Sequence, residues 1–162
     1  MTLPVRIGLI SDTHGLLRER ALRGLVGSEV IVHAGDIGSA EILDRLRDTA
    51  PVIAVRGNVD TQEWARTLPL TNTLEVEGTS LFVLHDLHDL DLDPRAAGFG
   101  IVISGHTHKP LQTERAGVLY INPGSAGPRR FNLPITVARL TAGTRPWKVE
   151  YIPCDDSPPQ RQ

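Results

Sequence analysis

Short runs of apolar residues recur along the first two thirds of this sequence. They are rich in Val, Ile and Leu and lack an alternating polar face, as is typical of strands buried on both faces of a parallel sheet. The segments between the first three runs carry apolar residues at helical spacing, and the second begins after an N-cap candidate, Ser39. The pattern predicts strands at Val5–Ile10, Glu29–His33 and Pro51–Val55, and helices at Leu16–Val26 and from Ser39 through Asp48.

The second half of the chain has shorter intervals between its apolar runs and more turn signals. Glu77-Gly78-Thr79 and Ala116-Gly117 each separate two runs and indicate hairpins. The predicted strands are Asn72–Val76, Ser80–His85, Ile101–Ser104, Leu111–Arg115, Val118–Asn122, Pro134–Leu140 and Trp147–Ile152. A parallel first half followed by a meandering second half predicts an α/β sandwich of two sheets packed face to face, with the helices outside.

Length and composition narrow the class of protein. The 162 residues suit a single domain, predicted over 1–154, and the remaining 155–162 are rich in Pro, Ser and Gln and predicted to be disordered. The net charge of −2 and the pI near 6.3 argue against nucleic acid as a primary partner. Aromatic residues make up only 4%, which argues against a base-stacking surface.

The sequence predicts a cytoplasmic protein without a membrane partner. Cys154 is its only cysteine, so an internal disulfide is excluded. The N-terminus does not follow the signal-peptide pattern, and no apolar run approaches the roughly 20 residues that span a bilayer. The strands of the C-terminal half leave pairing with a second copy of the chain open.

Five apolar runs end at a side chain that can bind a metal ion. These side chains are Asp12, Asp36, Asn58, His85 and His106. In open α/β sheets, ligands bind beyond the carboxyl ends of the strands, so we expect the five residues to converge on one shared site.

Two pairs of residues enlarge this set. Asp12 with His14, and His106 with His108, are two positions apart, and in extended chain such side chains point the same way. Glycines flank these positions where a Cβ would crowd the site: Gly15, Gly35, Gly57 and Gly105.

Oxygen and imidazole donors without thiolate favour Mn²⁺, Fe²⁺, Co²⁺, Ni²⁺ or Zn²⁺ over Mg²⁺ or Ca²⁺. Seven ligands suit two ions, the arrangement that cleaves phosphate esters.

The motifs in order resemble those of the calcineurin-like metallophosphoesterase superfamily. They are Asp12-Thr13-His14, Gly35-Asp36, Gly57-Asn58-Val59-Asp60, His85 and Gly105-His106-Thr107-His108. The chain length and Asn122-Pro123-Gly124-Ser125 are similar to its small YfcE-type phosphodiesterase branch, and the resemblance excludes only the last ten or so residues. It implies a four-layer αββα fold and hydrolysis of small phosphodiesters by a hydroxide bridging two divalent ions, of the Mn²⁺ type.

The resemblance also implies a ligand for each position. One ion would take Asp12, His14, Asp36 and His108, and the other would take Asp36, Asn58, His85 and His106. Asp36 would bridge the two ions, and Asp36, Asn58 and His106 would be catalytic.

Two positions depart from the pattern of the superfamily. Many members place a His directly after the Gly-Asn pair, where it donates a proton to the leaving group, whereas this chain has Val59. Without that acid we expect weak monoesterase activity and a preference for diesters with good leaving groups. Asp86 follows His85 where the family usually has Gly, and His88 is an alternative ligand for the second ion.

Several other assignments stay open. Arg129 and Arg130 can bind substrate phosphate or lie on the surface, and His33 is expected in the core rather than as a ligand. As alternatives to the phosphodiesterase, the chain could be a non-catalytic interaction scaffold, as in the retromer subunit that resembles this branch, or a phosphoprotein or phosphomonoester phosphatase.

Overall fold

The computed structural model of the chain describes residues 4–143 and 145–155. Within these ranges the strands are β1 Val5–Ile10, β2 Val30–His33, β3 Val52–Ala54, β4 Thr71–Val76, β5 Thr79–Leu84, β6 Ile101–Ile103, β7 Leu111–Arg115, β8 Val118–Asn122, β9 Thr136–Ala142 and β10 Lys148–Pro153. The α-helices are α1 Glu19–Leu25 and α2 Ala40–Arg47, and 3₁₀ helices span Glu63–Ala65 and Leu87–Asp89. None of these helices is long and apolar enough to span a membrane.

The strands form two mixed sheets of five strands each. The first sheet has the order β10-β9-β1-β2-β3, with β1, β2 and β3 parallel and β9 and β10 antiparallel to their neighbours. The second has the order β4-β5-β6-β8-β7, with a parallel centre of β5, β6 and β8 and antiparallel edges. Both sheets therefore have several parallel strands that end at a shared carboxyl edge.

The main core lies between the two sheets. Alternate residues of β1, Ile7 and Leu9, pack there against residues of the second sheet such as Leu81 and Ile103, all of which are fully buried. Gly8 faces the other way, and a Cβ at this position would lie 2.7 Å from Cδ2 of Leu25 in α1. Successive residues of β1 thus face the second sheet and the helix layer in turn, as the alternation of side chains in a strand requires.

The two outer faces are covered differently. Both α-helices lie on the first sheet, where Leu25 and Leu46 join a buried cluster with Ile31 and Val137. On the second sheet, Phe82 and its neighbours are covered by the segment 87–99, which contains one 3₁₀ turn. The predicted two-sheet sandwich is confirmed, and its fourth layer is mostly a loop.

The predicted elements differ from the observed ones mainly in their ends. The first helix begins at Glu19 rather than Leu16, because Leu16 N donates to Thr13 O and Gly15 N donates to Ile37 O. Ser39 is the N-cap of α2 and accepts a hydrogen bond from the Glu41 amide, as predicted. Both predicted hairpins have two-residue turns with positive φ at each residue, the type I′ geometry. Of the predicted disordered tail, all but Asp155 lies outside the described residues.

Candidate metal centre

The loops that follow the parallel strands of both sheets meet at one edge of the sandwich. Hydrogen bonds join the first two loops, from Asp12 N to Gly35 O and from His14 N to Asp36 O, at 3.0 and 2.9 Å. The second sheet joins them through His85 Nδ1, which donates to Ala34 O at 2.7 Å. His106 N also donates to Asp12 Oδ2 at 3.1 Å. The strand ends that carry the candidate ligands are therefore tied together directly.

An inner cluster contains five of the seven candidate ligands. It consists of Asp12, His14, Asp36, His85 and His108, which form two overlapping groups with ligand atoms within 4.8 Å of one another. Asp12 Oδ1 lies 3.4 Å from His108 Nε2, 3.7 Å from His14 Nε2 and 3.9 Å from His85 Nε2. Asp36 Oδ2 lies 3.6 Å from His14 Nε2 and 3.2 Å from His85 Nε2. Both carboxylates thus lie near His14 and His85, and Asp12 also lies near His108.

Several atoms of the inner cluster are buried without a hydrogen bond, an arrangement that suits the binding of a cation. Asp12 Oδ1 and His85 Nε2 have no partner, and the contact of His85 with Asp36 lacks hydrogen-bond geometry. Since a carbonyl only accepts, the bond to Ala34 O places the His85 proton on Nδ1 and leaves a lone pair on Nε2. A carboxylate oxygen and an imidazole lone pair facing each other are suited to a shared metal ion and costly to bury otherwise.

The pKa shifts of Asp12, Asp36 and His85 indicate that the inner cluster favours positive charge. Burial tends to raise the pKa of Asp12, but contacts from His108, His14 and Ser11 outweigh it and hold that pKa well below its usual value. Burial likewise opposes the contacts of Asp36 with His85 and the Val59 amide, and the pKa of Asp36 is lowered. Burial tends to lower the pKa of His85, yet Asp36 and Asp12 raise it. As the pH is lowered, a second proton on His85 Nε2 would compete with a cation, so metal affinity should fall as the pH falls.

The backbone at the candidate ligands has an unusual conformation. Positive φ values occur at five of them: Asp12 (56°), His14 (46°), Asp36 (57°), His106 (73°) and His108 (64°). Left-handed backbone at a non-glycine residue costs of order 1–3 kcal/mol and tends to occur at functional sites. The ligands with i, i+2 spacing are therefore presented by tight left-handed turns, not by extended chain as predicted.

Three of the four flanking glycines are needed for close approach, and a Cβ at Gly57 would overlap the backbone N and Oδ1 of Asp36. A Cβ at Gly35 would lie 2.7 Å from His85 Nδ1, and one at Gly105 would lie 2.7 Å from Asp12 Oδ2. Real Cβ contacts are essentially never that short, so any larger residue would displace a ligand side chain.

Asn58 and His106 lie farther out than the inner cluster. Together with His85 they line a cavity of about 350 Å³, called the outer cavity, whose other lining residues include Arg56, Leu70, Asp86 and Asp89. The ring of His106 is 5.2 Å from that of His85, and His106 Nε2 lies 3.5 Å from Asp86 Oδ2. His88, the alternative ligand, is exposed, and its Nδ1 is 3.1 Å from Asp86 Oδ1. The assignment of Asn58 and His106 as ligands stays a prediction.

Asp60 is a supporting residue whose role was not predicted, although it belongs to one of the motifs. Its buried carboxylate accepts hydrogen bonds from the amides of Ile37, Gly38 and Gly57 at 2.9–3.0 Å. It therefore fixes the loop that carries Asp36 to the loop that carries Asn58. In the sequence, Asp60 is a carboxylate three positions after Gly57. That spacing is common in turns and did not indicate that Asp60 would bind the loop that carries Asp36.

His33 is fully buried and uses both ring nitrogens. Its Nδ1 accepts from the Gly35 amide at 3.1 Å, so the proton is on Nε2, which donates to Thr13 Oγ1 at 3.0 Å. Thr13 Oγ1 in turn donates to Ile37 O at 2.8 Å. This chain connects the loops that follow β1 and β2, and His33 supports the site from the core as expected.

We expect His33 to weaken the fold in acid. Burial lowers its pKa from 6.5 to about 4, so between these values the unfolded chain binds a proton that the folded chain does not. The free energy of unfolding should therefore fall by about 3 kcal/mol from this group as pH drops from 6.5 to 4. Urea unfolding with chelator present should show a smaller loss over this range for His33→Asn, in which other titrating groups remain. Equal losses for both proteins would contradict the prediction.

The turn Asn122-Pro123-Gly124-Ser125 supports the same loops. Asn122 Nδ2 donates to Gly105 O at 2.9 Å and to Thr107 Oγ1 at 3.1 Å. Ser125 Oγ donates to Asp12 O at 3.1 Å. The motif therefore holds the loops that carry Asp12 and the His106–His108 pair.

Arg129 and Arg130 are both exposed on the loop that follows this turn. The guanidinium of Arg129 is paired with Asp155 and donates to Leu133 O. No contact connects either arginine to the inner cluster among the described residues. Their binding of substrate stays a prediction.

Known proteins share both the motifs and the fold of this chain. Residues 5–145 match the family model of the calcineurin-like phosphoesterase superfamily domain. The chain belongs to that superfamily. The match covers every candidate ligand and confirms the family that the motif series resembles.

Two relatives show which members of the calcineurin-like phosphoesterases this chain is similar to. A probable metallophosphoesterase of Methanocaldococcus jannaschii is 38% identical over 132 residues, which are 74% of this chain and 67% of the relative. The phosphodiesterase YfcE of Escherichia coli is 30% identical over 146 residues, covering 75% of this chain and 79% of YfcE.

Solved structures share the fold of this calcineurin-like chain. An archaeal phosphodiesterase aligns with a TM-score of 0.77 and 24% identity, covering 91% of this chain and all of the other. A zinc complex of Vps29 from Entamoeba histolytica aligns with a TM-score of 0.67 and 23% identity, over 93% of this chain and 100% of Vps29. At these identities the likeness is one of fold.

Proposed function

We propose that this chain is a metal-dependent phosphodiesterase that uses two divalent ions. The observation that carries the proposal is Asp12 Oδ1, a buried carboxylate oxygen without a hydrogen bond that faces three imidazole nitrogens within 3.9 Å. Burying such an atom is costly unless it is paired, and a metal ion held by the carboxylate and the imidazoles would pair it. The relatives named as metallophosphoesterase and phosphodiesterase support the same reaction class.

The proposed ligand sets divide the seven side chains between the ions. Asp12, His14, Asp36 and His108 would hold one ion, and Asp36, Asn58, His85 and His106 would hold the other. When bound, such a pair supplies a hydroxide nucleophile at neutral pH and neutralises charge on the phosphoryl oxygens. Oxygen and imidazole donors fit Mn²⁺, with Fe²⁺, Co²⁺, Ni²⁺ and Zn²⁺ as further candidates.

The residues of the chain have distinct tasks in this proposal. Asp60 and the His33–Thr13 pair hold the loops of Asp36 and Asp12 in place, so the donors are preorganised before metal binds. The Val59 amide donates to Asp36 Oδ1 at 3.1 Å, which directs Oδ2 toward His14 and His85. Val59 has no proton to donate, which favours diesters with stable leaving groups.

A non-catalytic scaffold is the second candidate, favoured by the shared fold with Vps29. The buried polar atoms without partners argue against it, because a site without a ligand gains nothing from keeping them. A phosphomonoester phosphatase is less favoured, because Val59 lies where the superfamily places the acid.

Metal removal should abolish activity and lower stability. Mn²⁺ at about 100 times its Kd should stabilise the fold by about 2.7 kcal/mol, which is about 5–10 °C in Tm for a domain of this size. The measurements are metal content, Tm with Mn²⁺ or EDTA, and hydrolysis of bis(4-nitrophenyl) phosphate. EDTA should remove the activity and Mn²⁺ should restore it. A protein that binds no metal and cleaves no diester would support the scaffold instead.

A further inference from the structure

The outer cavity contains one basic side chain among its lining residues, Arg56. Arg56 is half-buried, and within the described part of the chain its guanidinium makes no hydrogen bond or ion pair. The cavity is shared with Asn58, His85 and His106, the proposed ligands of the second ion. His85 is itself buried with an unpartnered Nε2. Arg56 thus lines the same cavity as the proposed ligands of the second ion.

The backbone of Arg56 is held in place, while its guanidinium is unpaired among the described residues. Its amide donates to Pro69 O at 2.8 Å, and the next amide, of Gly57, donates to Asp60 Oδ2 at 2.9 Å. A partly buried charge without a partner costs stability, so its retention beside the proposed metal ligands indicates an anionic ligand.

The other charges of the outer cavity are negative. Asp86 Oδ1 accepts from the His88 amide at 3.0 Å and its Oδ2 faces His106, while Asp89 is exposed at the rim. A phosphodiester carries one negative charge, whereas a phosphomonoester carries close to two at neutral pH. Beside the proposed second ion, one guanidinium can pair with the single charge of a diester, and two nearby carboxylates make a second negative charge on the substrate less favourable.

We infer that Arg56 binds a non-bridging oxygen of the substrate phosphodiester and that Asp86 and Asp89 disfavour a second negative charge in the outer cavity. The inference rests on the proposed phosphodiesterase function and specifies its substrate as a singly charged phosphate ester. It gives the phosphate contact to Arg56, in place of Arg129 or Arg130.

The first test removes the guanidinium. For Arg56→Gln with Mn²⁺, KM for methyl 4-nitrophenyl phosphate should rise about tenfold or more, because a charged hydrogen bond is lost. Metal content should be unchanged, and Tm should be unchanged or higher because an unpaired charge is gone. Arg66→Gln removes the same charge from an exposed position in the same β3–β4 connection and should leave KM unaltered. An unchanged KM for Arg56→Gln, or loss of metal, would overturn the inference.

The second test concerns charge selection. 4-Nitrophenyl phosphate and its methyl diester share a leaving group and differ in charge, so their kcat/KM ratio reports selectivity independently of Val59. Asp89→Asn should raise the relative rate of the monoester about threefold, the size expected for an exposed charge. Asp91→Asn removes the same charge from the same loop and should leave the ratio unaltered. An equal ratio in Asp89→Asn and wild type would refute the role of Asp89 in charge selection.

Inorganic phosphate separates a failure of this inference from a failure of the proposed function. If the Mn²⁺-loaded wild type cleaves neither ester, the phosphodiesterase proposal fails, but titration calorimetry still measures phosphate binding. Arg56→Gln should weaken that binding about tenfold. Equal phosphate affinity in Arg56→Gln and wild type would refute the role of Arg56 alone.

Discussion

Asp36→Asn should lower kcat/KM for an aryl phosphodiester by about 10³-fold or more. Asp36 Oδ2 lies between His14 Nε2 and His85 Nε2, at 3.6 and 3.2 Å, and under the two-metal proposal it would bind both ions. Metal stabilisation of the transition state is worth several kcal/mol, and each 1.4 kcal/mol is a factor of about ten. Asn keeps the volume and an acceptor for the Val59 amide, so the change removes mainly the charge.

Metal content and circular dichroism distinguish a loss of metal binding from a loss of the fold. Metal content after dialysis against Mn²⁺ should fall for Asp36→Asn, and circular dichroism should be unaltered. Asp44→Asn, on the exposed face of α2, is the matched control, because its pairing with Arg47 is a surface contact of little energetic value. Diesterase activity that survives Asp36→Asn at a similar rate would exclude the two-metal proposal.

The strands were the most predictable part of the fold. Val5–Ile10 and Val118–Asn122 agree with prediction at both ends, because strands buried on both faces need continuous apolar runs that polar residues terminate. The same logic located the candidate ligands, since the residue that ends a buried parallel strand lies at the carboxyl edge. The family match and the observed inner cluster are consistent with that prediction.

Features that depend on contacts distant in sequence were not predictable. The Leu16–Val26 helix was predicted three residues too early at its N-terminus, because the loop after His14 is held by Ile37 and not by local propensity. The left-handed backbone at Asp12 and Asp36 is likewise stabilised by neighbouring loops. Arg56 and Arg129 look alike in sequence, and only the structure shows that Arg129 has a partner.

Val59→His should accelerate cleavage of a diester with an alkyl leaving group by about 10²-fold or more. A positioned general acid contributes 10²–10⁴-fold, and alkoxides need the proton that this chain does not supply from position 59. Val59 is 42% exposed, and its backbone amide already donates to Asp36 Oδ1, so the new side chain has room and its backbone is fixed. The measurement is kcat/KM of Val59→His and wild type for a dialkyl phosphate, such as dimethyl phosphate, and for bis(4-nitrophenyl) phosphate.

The expected result is a gain that depends on the leaving group. 4-Nitrophenolate departs without a proton, so its rate should change little, while the alkyl diester should gain most of the effect. Val59→Asn presents a polar side chain of similar size without an acid and should give no comparable gain. Because both changes are at an exposed position, the free energy of unfolding should stay within about 0.5 kcal/mol. Equal gains for both leaving groups, or a gain in Val59→Asn, would show that position 59 limits binding or access, not protonation.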